Sequence, residues 1–355
     1  MKKAYIVLED STVFEGYRFG ADTDCVGELV FTTGMCGYIE TLTDPSYYGQ
    51  IVMQTFPLIG NYGVNDTDFE SKKSFVSGYV VREFCRAPSN FRMEYDLDTM
   101  LKKQGIPGIY GVDTRALTQI IREHGVMNAV ITSEPNDEAV KRAKSFFIAD
   151  AVASVSEREI ISYGDEDAKY TVVLYDFGAK RNIIRELTKR SCRVICVPYD
   201  TAAEKVMELK PDGIMLSNGP GDPAENLIPI ANVKKLLGKF PLFGICLGHQ
   251  ITALACGGET HKLKYGHRGV NQPVKDLSSG RTYISSQNHG YAVKQDSIPP
   301  EIGCQSFENA NDLTNEGMSY PTLNAFTVQF HPEACTGPKD TAFLFDRFIK
   351  LMGGK

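Results

Sequence analysis

The segment GICLGHQ at 244–250 places Cys246 where an apolar run ends and a helical pattern begins. The pattern G-x-C-x-G has the form of a nucleophile elbow, a tight strand-to-helix turn that presents a reactive side chain. Gly244 and Gly248 would remove side chains that collide with neighbouring elements in such a turn. Helix-terminal amides and the helix dipole would both stabilise a thiolate there. Cys246 is therefore predicted to be a nucleophile, and a buried structural cysteine is the alternative.

A cysteine nucleophile needs a base, and the segment TVQFHPEA at 327–334 offers the best candidate. An apolar strand pattern ends just before His331, so the imidazole would emerge at the end of a strand. Glu333, two residues later, could accept a hydrogen bond from the imidazole and fix its tautomer. The amide of Leu247, directly after the nucleophile, would face an oxyanion. Together these positions predict a cysteine–histidine–glutamate triad.

The other histidines are weaker candidates for the base. His249 lies three residues after Cys246 on the same predicted helix, which would carry its side chain away from the thiol. His289, in SSQNHGYAV, follows an apolar run and could line the same pocket. The remaining three are interpreted as a helix-end residue, His124, and as members of the polar patch HKLKYGHR at 261–268, His261 and His267.

A glycine-rich loop, SNGPGDP at 217–223, follows another strand pattern. Pro220 interrupts it and no lysine follows, so it is not predicted to be a phosphate-binding P-loop. Its backbone amides could instead approach some other oxygen, because glycine has no side chain. No CxxC pair suggests zinc, and no metal site is predicted.

From residue 170 onward, strand and helix patterns alternate. The strand patterns are apolar on both faces, as in YTVVLYDFG at 170–178 and PLFGIC at 241–246. Such strands, alternating with helices, predict a mostly parallel, doubly wound sheet covered by helices on both faces. Ligand sites in these sheets form at the carboxyl ends of the strands, which is where Cys246 lies.

The first half of the chain mixes short strands and helices, which predicts a separate mixed α/β domain. AYIVLEDSTVFEGYRF at 4–19 has the alternation of a hairpin around an acidic turn. GVDTRALTQIIREHG at 111–125 has the pattern of a helix, which Asp113 or Thr114 could cap and Gly125 could end.

The segment 150–168 is polar and lacks an apolar period, so it is predicted to be a loose linker. The predicted domains are therefore 1–168 and 169–355. A chain of 355 residues exceeds what one hydrophobic core usually serves, which agrees with two domains.

Composition restricts the class of protein. The net charge of −6 and the absence of a basic face argue against nucleic acid or an anionic membrane as partner. No segment approaches the roughly 20 apolar residues of a membrane span. The nine cysteines show no paired spacing, so reduced thiols in the cytoplasm are expected.

GICLGHQ together with QFHPEA resembles the signature pair of class I (triad) glutamine amidotransferase domains, over about 170–355. ETLTDPSYYGQIVMQTFPLIGNYGVN at 40–65 and GVDTRALTQIIREHG resemble the amino-terminal domain of carbamoyl-phosphate synthase small subunits. With both halves matching in order, the resemblance covers nearly the whole chain. It implies that Cys246, His331 and Glu333 are the catalytic triad.

The resemblance also implies a substrate, L-glutamine, and a set of residues that contact it. The thiolate would attack the carboxamide carbon, His331 would protonate the departing ammonia, and water would then hydrolyse a γ-glutamyl thioester. Tyr291 stands where phenylalanine is common in the family. The implied glutamine contacts are Ser46, Gly219, Gly221, Leu247, Gln250, Asn288, Gly290 and Tyr291.

The family further implies a partner, the large synthetase subunit, which converts bicarbonate, ammonia and two ATP into carbamoyl phosphate. This chain has no P-loop or kinase-type glycine loop, so no cofactor is predicted in it, and ATP and Mg²⁺ are expected on the partner. A heterodimer or a higher oligomer would serve arginine synthesis, pyrimidine synthesis or both. The alternatives are a glutaminase subunit of another amidotransferase, a free-standing γ-glutamyl hydrolase and a non-catalytic regulatory subunit.

Overall fold

The computed structural model describes residues 2–334 and 336–353. The chain divides into two compact units, and the division falls between Ala151 and Val152. Within the described ranges, no helix has the length and apolar character needed to cross a membrane.

The described residues form strands in both units, numbered here in chain order. They are β1 (Lys3–Leu8), β2 (Val13–Gly20), β3 (Cys25–Thr32), β4 (Gln50–Gln54), β5 (Leu58–Ile59), β6 (Gly78–Val81), β7 (Glu83–Phe84), β8 (Pro107–Tyr110), β9 (Met127–Thr132), β10 (Ile161–Tyr163), β11 (Tyr170–Asp176), β12 (Cys192–Pro198), β13 (Gly213–Leu216), β14 (Leu242–Ile245), β15 (Thr260–Asp276), β16 (Thr282–Val293), β17 (Cys304–Asn309), β18 (Asn315–Tyr320) and β19 (Ala325–Val328).

The helices of the same residues are numbered in the same way. They are α1 (Tyr38–Thr43), α2 (Leu97–Gln104), α3 (Thr114–His124), α4 (Asp137–Ser145), α5 (Ala151–Val155), α6 (Arg181–Thr188), α7 (Ala203–Glu208), α8 (Leu227–Leu236), α9 (Leu247–Ala255) and α10 (Phe343–Gly353). Short 3₁₀ turns occur at Pro45–Tyr47, Asp66–Asp68, Pro223–Glu225 and Pro321–Leu323.

The first unit is built on a closed barrel with the strand order β1-β2-β8-β6-β4-β3-β9. Neighbouring residues of one strand point to opposite faces, so its apolar side chains fill two different clusters. In β4, for example, Ile51 belongs to one buried cluster and Val52 to the other. Helix α3 packs Leu117 and Ile121 into the cluster that contains Ile51. A third, smaller cluster contains Val7 of β1, Val130 of β9 and two alanines of α4, so three clusters together account for the apolar strands of this half.

The hairpin and the helix predicted in this unit are both confirmed. Strands β1 and β2 pair antiparallel, with Lys3 opposite Tyr17 and Val7 opposite Val13. The side chain of Asp113 accepts a hydrogen bond from the Ala116 amide and so caps α3.

The segment 150–168 differs from the predicted linker. Helix α5 buries Val152 and Val155, and β10 pairs antiparallel with β12 of the second unit. The structural division lies at 151/152 and not at 168/169 because this segment packs on the second unit. A helix of one turn and a three-residue strand are too short to show an apolar period in the sequence.

The second unit contains a ten-stranded sheet with the order β10-β12-β11-β13-β14-β19-β18-β17-β15-β16. Strands β12, β11, β13, β14 and β19 are parallel, and the sheet continues past β19 in antiparallel strands. The predicted doubly wound parallel sheet is therefore confirmed. The antiparallel extension was not predicted by the alternation of strand and helix patterns in the sequence.

Helices cover both faces of the parallel strands. Alternate residues of β11 belong to different clusters, with Val173 and Tyr175 on one face and Val172 and Leu174 on the other. Helices α7, α8 and α9 contribute to the first cluster, and α6 and α10 contribute to the second. This arrangement explains why the strands are apolar on both faces.

Candidate active site

Cys246 occupies the turn between β14 and α9. Its backbone has φ 52° and ψ −103°, a region that residues other than glycine rarely adopt. The Cys246 amide donates a hydrogen bond to the Val328 carbonyl at 2.8 Å, which holds the strained turn against β19. Such strain, maintained by surrounding structure, is the feature expected of a nucleophile elbow.

The glycines on either side of Cys246 are required by close packing. A Cβ atom on Gly244 would lie 2.8 Å from the Gly248 carbonyl oxygen, and one on Gly248 would lie 2.5 Å from the Leu216 oxygen. Both distances are shorter than real Cβ contacts, so neither position has room for a side chain. The steric role predicted for these two glycines is confirmed.

The thiol of Cys246 is buried at the amino end of α9. Its Sγ lies 3.8 Å from the carbonyl oxygen of Asn288. Leu247 is the first residue of α9, so its amide is among those that have no partner inside the helix. This position favours a thiolate and, later in the reaction, an oxyanion.

His331 follows β19 at the same edge of the sheet. Strands β14 and β19 pair in parallel with Ile245 opposite Val328, so Cys246 and His331 both lie beyond the carboxyl ends of neighbouring strands. The Nδ1 of His331 contacts Glu333 Oε1 at 2.6 Å. Among the described residues its Nε2 has no hydrogen-bond partner. A carboxylate on Nδ1 leaves Nε2 to accept a proton, as general-base catalysis requires.

Glu333 has a second partner, which the sequence analysis missed. The Lys180 ammonium lies 2.7 Å from Glu333 Oε1, and both side chains are almost completely buried. Burial alone would raise the pKa of Glu333, but Lys180 and then His331 lower that pKa to about 2. The carboxylate thus stays ionised beside the imidazole at all physiological pH values.

Lys180 could have been noticed from its position alone. It lies just after the apolar strand β11, at the carboxyl edge of the parallel sheet. Lysines in polar turns are usually on the surface, however, and no local spacing links Lys180 to Glu333.

Replacing Lys180 tests its role in holding Glu333. In Lys180→Met, only His331 opposes the burial of Glu333, so the pKa of the carboxyl should rise. We expect kcat for the predicted glutamine hydrolysis to fall roughly tenfold, because losing the orienting group of a triad lowers the rate less than losing its base. The acid limb of the pH profile of kcat should also move to higher pH, since the carboxylate is lost earlier as pH falls.

A matched control is Lys189→Met, because Lys189 is exposed, directly follows α6 and pairs with Glu186 of that helix. It should leave both kcat and the pH profile unchanged. A Lys180→Met variant whose pH profile matches that of the wild type would show that Lys180 does not act on Glu333.

Two of the segments predicted to contact glutamine in the second unit pack close to Cys246 or its helix α9. A Cβ atom on Gly219 would be 2.7 Å from the Leu247 side chain, so the loop after β13 packs directly against the start of α9. Gln250 Nε2 donates to the Tyr291 carbonyl at 2.8 Å and to Gln329 Oε1 at 2.9 Å. Because both amide hydrogens are used, Gln250 can offer a ligand only its carbonyl oxygen.

The other predicted glutamine contacts are distributed over both units. Asn288, Gly290 and Tyr291 lie on β16, and Gly221 lies in the loop after β13 with φ 88°. Ser46 lies in the first unit, in the 3₁₀ turn Pro45–Tyr47, where its amide donates to Asp44 Oδ1 at 2.9 Å. The roles of all these residues in binding glutamine stay predictions.

The structure also places the alternative histidines. His249 contacts Thr327 Oγ1 at 2.8 Å, and burial lowers its pKa to about 3. Both ring nitrogens of His289 contact oxygen atoms, at 2.8 Å to Tyr291 O and 3.1 Å to Gln287 Oε1. Neither ring offers a base as His331 does.

The interpretation of 261–268 as a polar surface patch is wrong for its last two residues. His267 has only 11% of its side chain exposed and lies between two carboxylates, while Arg268 is buried. The reason is that 261–268 belongs to the long strand β15, which pairs with β16. This strand is mostly exposed at its start and mostly buried in its central part.

Comparisons with known proteins agree over both units. Residues 6–131 match the family model described as carbamoyl-phosphate synthase small chain, CPSase domain. Residues 173–351 match the model described as glutamine amidotransferase class-I.

Several curated proteins are similar over nearly their whole length. A carbamoyl phosphate synthase small chain of Clostridium perfringens is 52% identical over 350 residues, covering 98% of this chain and 99% of that one. One from Oceanobacillus iheyensis is 50% identical over 355 residues, covering 99% and 96%. A carbamoyl phosphate synthase pyrimidine-specific small chain of Bacillus subtilis is 52% identical over 353 residues, covering 99% and 96%.

Proposed function

This chain belongs to the carbamoyl-phosphate synthase small-chain family, and from that premise we propose that Cys246, His331 and Glu333 perform its glutamine hydrolysis. Its class I glutamine amidotransferase domain makes it the glutaminase subunit of such a synthase. The observation that supports the assignment of residues is the strained elbow at Cys246 beside the buried His331–Glu333 pair, at one edge of one sheet.

The first half of the reaction forms a thioester. His331 Nε2 takes the proton of the Cys246 thiol, and the thiolate attacks the side-chain carboxamide carbon of glutamine. The amide of Leu247 is placed to stabilise the resulting oxyanion, together with an amide of the loop that contains Gly219. His331 then gives its proton to the leaving nitrogen, which departs as ammonia.

The second half releases glutamate. His331 removes a proton from water, and the hydroxide attacks the thioester carbonyl carbon. The carbon–sulfur bond breaks, glutamate leaves, and Cys246 regains its proton from His331. Glu333 and Lys180 keep the imidazole in one orientation through both halves, since Glu333 contacts Nδ1 and not the reacting Nε2.

The ammonia is proposed to pass to a large synthetase subunit. That subunit would combine it with bicarbonate and two ATP, and ATP and Mg²⁺ would bind there, since this chain has no nucleotide-binding motif. One relative is named for pyrimidine synthesis, and we propose that the carbamoyl phosphate formed here serves pyrimidine synthesis, arginine synthesis or both, in the cytoplasm.

Glutamine hydrolysis should depend on that partner. A freely running glutaminase would waste glutamine, and a shift of about 1 Å in such a site can change the rate roughly a hundredfold. We therefore expect the purified chain alone to hydrolyse glutamine slowly. Adding the large subunit with ATP and bicarbonate should raise the rate by about two orders of magnitude.

The control is the Cys246→Ser chain, which should bind the large subunit and support carbamoyl phosphate synthesis from free ammonia only. Equal rates with and without the partner would contradict the coupling. Failure to bind a large subunit would contradict the proposed partnership.

A further inference from the structure

Three side chains, two of them buried and one nearly so, form a compact cluster to which the proposed reaction assigns no role. His267 on β15 and His289 on β16 are register partners, and Glu316 on β18 lies against both. His267 Nδ1 is 3.3 Å from Glu316 Oε1, and His289 Nε2 is 3.9 Å from the same oxygen. One ligating atom from each residue lies within 4.8 Å of the other two.

The outer nitrogens of both histidines are held by oxygen atoms. His267 Nε2 contacts Asp312 Oδ2 at 2.8 Å, and His289 Nδ1 donates to the Tyr291 carbonyl at 2.8 Å. Histidines that bind metals usually make this kind of contact, which fixes the tautomer and points the other nitrogen at the ion. The inner nitrogens of both rings face Glu316, and His289 Nε2 also lies 3.1 Å from Gln287 Oε1, a contact that a bound ion would have to replace.

Glu316 provides an independent observation. Its side chain is completely buried, and its Oε2 has no hydrogen-bond partner among the described residues. Ionised carboxylates are rarely buried unless a cation or metal ion compensates them. Its other oxygen, Oε1, accepts a hydrogen bond from Asn309 Nδ2 at 3.4 Å and lies near both imidazoles, so the carboxylate is only partly compensated.

From this arrangement we propose that His267, His289 and Glu316 form a binding site for a divalent transition metal ion of the zinc class. Two imidazoles and one carboxylate are ligands that zinc accepts, and three protein ligands leave one coordination position open. Zinc–ligand bonds of about 2.0–2.2 Å place tetrahedral ligand atoms roughly 3.4 Å apart. The two imidazole nitrogens lie 3.3 and 3.9 Å from Glu316 Oε1, and all three ligand atoms lie within 4.8 Å of one another. An ion would therefore draw the side chains together by up to about 1.4 Å.

Metal binding can be measured without activity, because none of the three side chains is the thiol, the base or the orienting carboxylate of the proposed reaction. The probe is Co²⁺ added to the purified full-length chain and followed by its visible absorption. We expect one Co²⁺ per chain, a spectrum without a sulfur-to-cobalt charge-transfer band, and displacement of Co²⁺ by Zn²⁺. In Glu316→Gln the affinity for Co²⁺ should fall at least about a hundredfold, and in Asp312→Asn about tenfold.

Two variants serve as controls. His261→Gln changes an exposed histidine on the same strand, and Cys246→Ser removes the reactive thiol; neither should alter Co²⁺ binding. The proposal is overturned if the chain binds no Co²⁺, if Glu316→Gln binds it as the wild type does, or if Cys246→Ser abolishes binding. Should Glu316→Gln fail to fold, Asp312→Asn decides, because an affinity equal to that of His261→Gln would overturn the proposal equally.

Discussion

Replacing Cys246 by serine should lower glutamine hydrolysis by at least about a thousandfold, because the loss of a nucleophile removes the covalent route. A serine hydroxyl fits the same elbow but is a far weaker nucleophile than a thiolate at neutral pH. The fold should be unaffected, since serine is nearly isosteric with cysteine. The rate of glutamate release by the purified variant, measured in the presence of the large subunit, checks this.

Cys256→Ser is the matched control for that variant. Cys256 lies directly after α9, the helix that begins next to Cys246, and burial raises the pKa of its thiol to about 11, so it is not a reactive thiolate. Its replacement should leave the rate unchanged. If Cys246→Ser hydrolysed glutamine at the wild-type rate, the assignment of the nucleophile would be wrong.

The second prediction with a large expected effect compares the loss of the base, His331, with the loss of Glu333, which orients it. His331→Asn should reduce kcat for glutamine hydrolysis by at least about a thousandfold, since the variant lacks the imidazole that is proposed to accept the thiol proton. Glu333→Gln should reduce kcat by about ten- to a hundredfold. The loss is smaller than for His331 because the amide can still contact Nδ1, but Lys180 no longer faces a carboxylate. Parallel measurements of kcat in both variants test the order.

Two results would change the assignment of roles. If Glu333→Gln were as inactive as His331→Asn, Glu333 would do more than orient the imidazole. If His331→Asn retained activity, His289 would become the candidate base, although both of its nitrogens already contact oxygen atoms. The exposed His124 provides a control, since His124→Asn should not alter kcat.

Most of what the sequence predicted about the site came from patterns within short segments. A nucleophile elbow is specified by neighbours in the chain, so Gly244, Cys246 and Gly248 could be interpreted from one short segment. His331 and Glu333 are likewise two residues apart at the end of one strand. The alternation of strands and helices then indicated why the two segments meet at one edge of a sheet.

Contacts between distant segments were not predictable in the same way. Lys180 and Glu333 are 153 residues apart, by subtraction of their numbers, and meet only because α6 and β19 border the same edge. His267, His289 and Glu316 lie on three strands whose pairing follows from the antiparallel extension of the sheet. A single sequence shows neither the register of those strands nor the burial of their polar side chains.

The most direct test of the account is to trap the covalent intermediate. The chain, mixed with glutamine and its partner subunit, is quenched in acid during turnover, digested and analysed by mass spectrometry. We expect one γ-glutamyl group on the peptide that contains Cys246, and none on the peptides of other cysteines. Turnover without any such adduct, or an adduct on another cysteine, would contradict the proposal that glutamine is hydrolysed through Cys246.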